Sequence, residues 1–272
     1  MRITFIGGGN MASALIGGLL ARQHQPADFC VIDPQPATRD GLRQRFGLRT
    51  EGAPSADALA ADVVVLAVKP QQMQQVAESL APLMGSQLVI SIAAGIRIGD
   101  LARWLGDYDR IVRAMPNTPA LIGEGITGLV ASASVDAAQR ETAQRILDAV
   151  GQSVWVDDES QIDAVTAVSG SGPAYVFHFI EAMEQGAIAL GLPPEHARRL
   201  AIATFTGAAR LAADSDEPPA VLRERVTSKG GTTAAALAVM AQRHVAAHIG
   251  EAMSAARQRS IELGDELGKA NG

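Results

Sequence analysis

Short apolar runs alternate with helical stretches over the first 160 residues, and this alternation constrains the fold more than any other feature of the sequence. Strands are predicted at residues 3–6, 29–32, 63–68, 88–92, 110–114, 128–131 and 154–156. Two of the intervening helices are predicted at residues 11–22 and 38–46. The run VVVLAV at 63–68 is apolar throughout, as in a strand that is covered on both faces. Strands joined through helices form right-handed crossovers, which predicts an open, mostly parallel sheet.

The pattern changes after Asp157, because no strand-like run of useful length follows. Helices are predicted instead at residues 174–190, 195–213, 221–226 and 232–267. The last of these would be about 54 Å long at a rise of 1.5 Å per residue, more than the width of a small domain. We therefore expect an α/β domain over residues 1–160 and an all-α domain over residues 161–272 that also forms a dimer.

Composition excludes several classes of protein. The net charge is −6 at pH 7, which argues against a general nucleic-acid-binding protein. Apolar residues make up 47% and charged residues 19%, enough for a packed core. No apolar stretch is long enough to span a membrane, and the single cysteine suggests a reducing compartment. These features predict a cytoplasmic protein that binds neither membranes nor nucleic acid.

The strongest local motif lies directly after the first strand. The sequence GGGNMA at residues 7–12 fits G-x-G-x-x-A at the opening of a helix. Glycines permit a tight turn and allow a pyrophosphate to approach the backbone, while the helix N-terminus offers unpaired N–H groups and a positive dipole end. The context of strand, turn and helix predicts a dinucleotide-binding site.

Asp33 follows the second strand at the distance typical of a ribose-binding carboxylate. Such a carboxylate accepts hydrogen bonds from the 2′-hydroxyl of the adenosine and repels a 2′-phosphate, which favours NAD over NADP. Arg39, Arg43 and Arg45 lie nearby in the sequence and could instead bind a phosphate or simply form a solvated helix face.

Three further segments follow predicted strands and so lie at the carboxyl edge of the sheet, where open α/β folds bind ligands. Lys69 belongs to the first, AVKP, as a possible base or cofactor contact. Ala94 belongs to the second, SIAAG, and Asn117 to the third, RAMPNTP. The prolines of the third segment stiffen a loop that either presents Asn117 or closes the domain.

The segment VTSKGGTT at residues 226–233 joins a short helix to the long one. It combines two glycines with four hydroxyls at a helix N-terminus, a pattern that can hold an anion such as a substrate carboxylate. An ordinary capped turn is the alternative.

The histidines and the cysteine give weaker evidence of a functional site. His244 and His248 are spaced as in a zinc motif, but Val245 stands where H-E-x-x-H requires glutamate, so we predict no metal site. Cys30 lies inside a strand and is interpreted as a core residue.

Taken together, the glycine-rich start and residues 67–70, 115–119, 169–175 and 226–233 resemble the motifs of pyrroline-5-carboxylate reductases, over essentially the whole chain. The resemblance implies a Rossmann-type domain followed by an all-α dimerisation domain. It implies reduction of 1-pyrroline-5-carboxylate to L-proline with NADPH or NADH, the last step of proline biosynthesis, in the cytoplasm. It also implies homodimers that assemble further, as far as a decamer.

The resemblance also implies roles for individual residues. The substrate would be bound by Ser228, Gly230, Gly231 and Thr232, with Thr233 as the catalytic residue that hydrogen-bonds the ring nitrogen. Asp33 stands where many family members carry a small or basic residue, so the preference between NADPH and NADH stays open. The dinucleotide would be bound by Ile6, Gly7, Gly8, Gly9, Asn10, Met11, Asp33, Ala67, Val68, Lys69, Pro70 and Ala94.

Three alternatives share the glycine turn: a related imine reductase, a β-hydroxyacid dehydrogenase and a non-catalytic nucleotide-sensing module. β-Hydroxyacid dehydrogenases resemble this architecture but use a lysine inside the helical domain. After residue 160 this sequence has only Lys229 and Lys269, and neither is predicted inside a core helix.

Overall fold

The computed structural model describes residues 1–269. An eight-stranded sheet forms the first part of the chain, in the order β3-β2-β1-β4-β5-β6-β7-β8. All neighbours are parallel except β6 and β7, which confirms the predicted open, mostly parallel sheet. The strands are β1 (Ile3–Ile6), β2 (Phe29–Ile32), β3 (Arg49–Glu51), β4 (Val63–Leu66), β5 (Leu88–Ser91), β6 (Ile111–Met115), β7 (Gly125–Ala131) and β8 (Gly151–Trp155).

The central strands are buried on both faces. Alternate residues of β1 and β4 join different clusters: Phe5 and Val65 pack on one side of the sheet, Ile6 and Leu66 on the other. This follows from the two-residue period of a strand, and it explains why β4 is apolar at every position. The one polar residue of β1, Thr4, is buried and donates its hydroxyl to the carbonyl of Ala58 at 2.6 Å. The edge strand β3, with the sequence RTE, is more exposed and was not predicted because it carries no apolar pattern.

Eleven α-helices occur in the described residues. The helices that flank the sheet are α1 (Asn10–Ala21), α2 (Pro36–Phe46), α3 (Met73–Leu80), α4 (Ile98–Trp104), α5 (Ala137–Leu147) and α6 (Gln161–Val165). The later helices are α7 (Gly172–Ala189), α8 (Pro194–Ala213), α9 (Pro219–Arg225), α10 (Thr232–Gln242) and α11 (Val245–Lys269). None of the helices in residues 1–269 has the length and apolar character needed to cross a membrane.

Contacts divide the chain into two compact units. The first runs to Ser171 and includes the last helix from Ala256 onward, and the second is Gly172–Ala255. The end of α11 belongs with the sheet because Ser260 donates a buried 2.6 Å hydrogen bond to Asp163 of α6. A functional division after residue 160 stays a prediction.

The single helix predicted over residues 232–267 is wrong. The structure ends α10 at Gln242 and begins α11 at Val245, with His244 between them at φ 53°. A non-glycine residue in the left-handed region cannot continue a right-handed helix. The sequence contains no glycine or proline at this break, whereas Gly250 lies inside α11 without ending it.

The second unit buries very few of its own side chains. Within its described helices only Ala197 and Ala201 are buried, both on α8. Large apolar side chains are exposed instead, among them Phe177 at 66% and Leu211 at 71%. A helical unit with so little core of its own needs an apolar partner surface.

Candidate active site

The carboxyl edge of the sheet has a topological switch point between β1 and β4. From β1 the chain builds outward to β2 and β3, then crosses back to form β4 on the other side of β1. Ile6 and Leu66 are register partners, so the segments that follow them start side by side. Ala67 donates its N–H to the carbonyl of Ile6 at 2.8 Å. Ligands of open α/β sheets bind in the crevice at such a point.

The glycine turn lies at this switch point, and each of its glycines has a different surrounding. Gly7 has φ 99°, and a Cβ there would lie 2.6 Å from the carbonyl oxygen of Ala67. A Cβ on Gly8 would meet Leu42 and Thr38 at under 3 Å. Gly9 has nothing within 4 Å of its Cβ position and is exposed. The turn is therefore closely packed at Gly7 and Gly8 and open at Gly9, which fits a bound pyrophosphate.

Helix α1 begins at Asn10, immediately beyond the turn. Its N-cap is Gly9, and no side chain of the described residues caps it. No acidic residue occurs in its first turn, so the N–H groups and the positive end of the helix dipole remain available for an anion. Asn10 is exposed and Met11 partly buried at this helix start.

Asp33 follows β2 and lies against the glycine turn. Its Oδ2 accepts a 2.9 Å hydrogen bond from the N–H of Gly8, and its Oδ1 accepts a 2.8 Å hydrogen bond from the N–H of Gln35. Thr38, which sequence reasoning missed, contacts the same turn through the position of Gly8. The contact is made by the methyl group of Thr38, and nothing in the polar sequence of α2 indicates such a contact.

The remaining predicted cofactor residues lie at the same edge. Val68 reaches the Cβ position of Gly7 at 3.1 Å, Lys69 is exposed, and Pro70 begins a short 3₁₀ turn. Ala94 follows β5, is exposed, and precedes Gly95 in the left-handed region. The structure thus brings the predicted cofactor residues together along the ends of β1, β2, β4 and β5.

Asn117 closes a loop inside the first unit. Its Oδ1 accepts the N–H of Ile126 at 2.9 Å, and its Nδ2 donates to the carbonyl of Ser169 at 3.2 Å. Both polar atoms of the Asn117 amide are therefore used within the first unit, which supports a role in closing the domain. They tie the loop after β6 to β7 and to the short π-helix Thr166–Gly170.

The predicted substrate residues lie in the second unit, in the loop before α10 and in the first turn of that helix. Gly230 has φ 72°, and a Cβ on Gly231 would clash with Oγ of Ser228. Gly231 donates its N–H to the carbonyl of Ser228 at 3.0 Å, so the loop is tightly closed. The left-handed backbone favours glycine at 230, whereas at 231 a Cβ would be crowded by the side chain of Ser228 and lie 3.2 Å from its carbonyl oxygen.

Hydroxyl groups surround the start of α10. Thr227 donates its hydroxyl to the carbonyl of Arg223 at 2.6 Å, so this hydroxyl is used to cap the end of α9. Thr232 is exposed and Thr233 partly buried in the first turn of α10, which has Gly231 as N-cap and no side-chain cap in the described residues. The loop can therefore present hydroxyls and N–H groups to an anionic group.

Cys30 is buried in β2, as expected for a core residue. Burial raises the pKa of its thiol from 9.0 to about 11, which suppresses the reactive thiolate. His244 lies in the break between α10 and α11 instead of on a continuous helix with His248. Among residues 1–269 no group of three His, Cys, Asp or Glu side chains could hold a metal ion.

Family models match both parts of the chain. Residues 2–95 match a model described as NADP oxidoreductase, coenzyme F420-dependent. Residues 159–263 match a model described as pyrroline-5-carboxylate reductase dimerisation.

Relatives match nearly the full length. A pyrroline-5-carboxylate reductase of Pseudomonas aeruginosa is 50% identical, with 98% of each chain covered. That of Escherichia coli is 38% identical over 96% of this chain and 98% of its own.

Solved structures agree with these relatives. A pyrroline-5-carboxylate reductase from Coxiella burnetii has a TM-score of 0.92 at 43% identity, covering 96% of this chain and 98% of its own. A pyrroline carboxylate reductase from Plasmodium falciparum with NADP bound has a TM-score of 0.83 at 30% identity, covering 97% and 98%. The full-length identity, the fold and the glycine turn at the switch point together mean that this chain belongs to the pyrroline-5-carboxylate reductase family.

Proposed function

We propose that this protein reduces 1-pyrroline-5-carboxylate to L-proline with NADPH or NADH, the last step of proline biosynthesis. The observation that carries the proposal is the glycine turn of a chain that belongs to this family. The turn is closely packed at Gly7 and Gly8 and open at Gly9. The start of α1 adds an uncapped helix N-terminus suited to a pyrophosphate.

The dinucleotide would be bound along the carboxyl edge of the sheet. The turn and the start of α1 would hold the pyrophosphate, Asp33 the adenosine ribose, and the segments after β4 and β5 the rest of the nucleotide. The proposed cofactor-binding residues are Ile6, Gly7, Gly8, Gly9, Asn10, Met11, Asp33, Ala67, Val68, Lys69, Pro70 and Ala94.

The substrate would be bound by the loop before α10. Ser228, Gly230, Gly231 and Thr232 would bind its carboxylate through hydroxyls and backbone N–H groups. The hydroxyl of Thr233 would hydrogen-bond the ring nitrogen. The left-handed Gly230 and the tight approach of Gly231 to Ser228 support this use of the loop, because both hold the backbone in a closed turn.

Reduction of the C=N bond needs a hydride on the carbon and a proton on the nitrogen. When bound, the reduced nicotinamide supplies a hydride to the imine carbon. A protonated iminium accepts hydride far better than a neutral imine, so the chain must align the substrate and stabilise a proton on its nitrogen. Thr233 would do so by hydrogen bonding, either to iminium formed in solution or in a relay with water.

The test follows the absorbance of the reduced nicotinamide in two assays: oxidation of NADPH and NADH with 1-pyrroline-5-carboxylate, and reduction of NAD⁺ and NADP⁺ with 3-hydroxyacids. We expect oxidation and stoichiometric proline with the imine. Binding of dinucleotide without turnover would instead indicate a sensing module. Activity with NAD⁺ and 3-hydroxyacids alone would indicate a β-hydroxyacid dehydrogenase.

The match to a dimerisation model makes the chain part of a homo-oligomer. We propose further that dimers assemble to a decamer, that the protein acts in the cytoplasm, and that the functional division falls between residues 1–160 and 161–272. The start of the dimerisation match at residue 159 supports that division.

A further inference from the structure

We infer that Asp33 makes NADH the preferred dinucleotide by excluding the 2′-phosphate of NADPH. This inference rests on the proposed function only in assuming that the glycine turn binds a dinucleotide. It concerns the choice between two cofactors that the fold alone would accept equally.

The carboxylate of Asp33 is held rigidly. Gly8 and Gln35 each donate a backbone N–H to one of its two oxygens, at 2.9 and 2.8 Å. Charge-assisted hydrogen bonds of this kind are strong, and here both come from the main chain. Rotation of the side chain to admit a second negative group would break both of these hydrogen bonds.

The position of the carboxylate is that of a ribose contact. Asp33 directly follows β2, which neighbours β1, and it touches the turn that would carry the pyrophosphate. A carboxylate at this place in a dinucleotide-binding fold accepts a hydrogen bond from the 2′-hydroxyl of the adenosine ribose. A 2′-phosphate would bring its own negative charge to the same carboxylate.

The first arginine of α2 binds the backbone beside this carboxylate. Arg39 donates its Nη1 to the carbonyl of Asp33 at 2.7 Å and to that of Pro34 at 2.9 Å. Its guanidinium also packs within 3.4 Å of the Cβ position of Gly52. These contacts support the turn that presents Asp33, which suits a ribose-binding site.

The other two arginines of α2 also have partners within the chain. Arg43 forms a 2.7 Å ion pair with Asp40 and donates Nε to Thr50 at 2.7 Å. The guanidinium of Arg45 lies 4.7 Å from the ring centroid of Phe46. Each arginine of α2 thus has a partner within the described chain, while the carboxylate of Asp33 accepts a hydrogen bond from the glycine turn.

The test is the affinity for NADH and NADPH without imine, measured by the fluorescence of the reduced nicotinamide and by calorimetry. Losing one charge-assisted hydrogen bond and gaining a like-charge contact should make the wild type bind NADH roughly 10- to 100-fold more tightly than NADPH. Asp33→Asn keeps the shape of the side chain and removes its charge. We expect this variant to lose most of that preference, chiefly through tighter binding of NADPH.

Glu141→Gln is the matched control. It removes one negative charge from α5, where the side chain of Glu141 is 71% exposed, and it leaves the arginines of α2 with their partners. We expect its NADH-to-NADPH ratio to equal that of the wild type. An equal change in both variants would overturn the inference, because it would indicate a general charge effect.

The wild-type ratio tests the inference without any variant, so a poorly folded Asp33→Asn protein does not remove the test. NADPH bound as tightly as NADH, or more tightly, would overturn the role of Asp33 and leave the proposed reductase intact. Binding of neither dinucleotide would overturn the proposed function itself, and the inference with it.

Discussion

At the residue scale, the glycines of the turn after β1 meet different physical demands. Gly7 is needed for its left-handed backbone and for the approach of Ala67, whereas Gly9 leaves space open above the turn. The spacing of the glycines predicted a dinucleotide-binding turn here. It could not show which glycine is needed for backbone conformation and which for open space, because the close contact of Gly7 is with Ala67, which follows β4 far along the chain.

Thr233 is the residue on which the proposed chemistry depends most directly. Thr233→Ala should lower kcat/KM for 1-pyrroline-5-carboxylate by roughly 10- to 1000-fold, because it removes the hydrogen bond to the reacting nitrogen. The measurement is steady-state kinetics over a range of imine concentrations, with dinucleotide affinity determined separately.

Thr233→Ser is the matched control for this prediction, since it keeps the hydroxyl. We expect it to retain most of the wild-type rate and both variants to keep the wild-type dinucleotide affinity. Wild-type turnover in Thr233→Ala would show that another group serves the ring nitrogen.

Cys30 predicts a specific loss of stability in alkali. Burial raises its pKa from 9.0 to about 11, so between these values the unfolded chain releases a proton that the folded chain retains. The free energy of unfolding should therefore fall with rising pH in this window. The slope from this one group should be up to roughly 1.4 kcal/mol per pH unit.

Denaturant titrations of wild type and Cys30→Val from pH about 8 to 11 measure this effect. Valine fills a similar volume without a titrating group, so its curve should lack this component of the slope. Parallel curves for the two proteins would mean that the thiol ionises in the folded state as readily as in the unfolded one.

At the scale of elements, the strands and helices of the first unit could largely be predicted. The strands β1, β2, β4 and β5 appear close to their predicted bounds because each is a short, predominantly apolar run, interrupted only by Thr4 in β1 and Ser91 in β5. The edge strand β3 could not, because RTE has no apolar period and pairs only through its backbone with β2.

The break between α10 and α11 is the clearest failure of local reasoning. The sequence AQRHVAA suits a continuous helix, yet His244 has φ 53°. A left-handed backbone in a non-glycine residue costs roughly 1–2 kcal/mol, which other contacts must offset. Helix propensity does not predict this turn, because AQRHVAA contains no glycine or proline.

This geometry predicts opposite effects for two substitutions at the same position. His244→Gly should preserve or slightly raise the free energy of unfolding, because glycine adopts this conformation without strain. His244→Val should lower it by roughly 1–2 kcal/mol, because β-branched residues disfavour positive φ. Denaturant unfolding at equal protein concentration measures both, and equal stability of the two variants would contradict the strained break.

At the scale of the whole molecule, the helical unit explains why the chain assembles. Its helices leave Phe177, Leu200 and Leu211 more than half exposed, while only two alanines are buried. Removing apolar area from water is worth roughly 25 cal/mol per Å², so covering these side chains stabilises an assembly. The match to a dimerisation family names the partner as a second copy.

The assembly should be measurable by light scattering and by its dependence on concentration. We expect a mass of at least two 28.3 kDa chains and a thermal midpoint that rises with protein concentration. Phe177→Glu should shift the protein to smaller species or to aggregates. Ile122→Glu alters a side chain of the first unit that is 79% exposed and should leave the mass unchanged. A wild-type mass of one chain would contradict the assembly.

The sequence by itself determined the parallel sheet, the dinucleotide turn and the helical second half, because strand period, glycine spacing and the absence of β-rich runs are local properties. Only the tertiary structure decided how Asp33 and the arginines of α2 are engaged, where the last helix breaks, and which apolar side chains remain uncovered. Those outcomes depend on backbone positions and contacts that no short stretch of sequence encodes. The physical reason is that a side chain's role is set by the groups that the fold brings within hydrogen-bonding or packing distance of it.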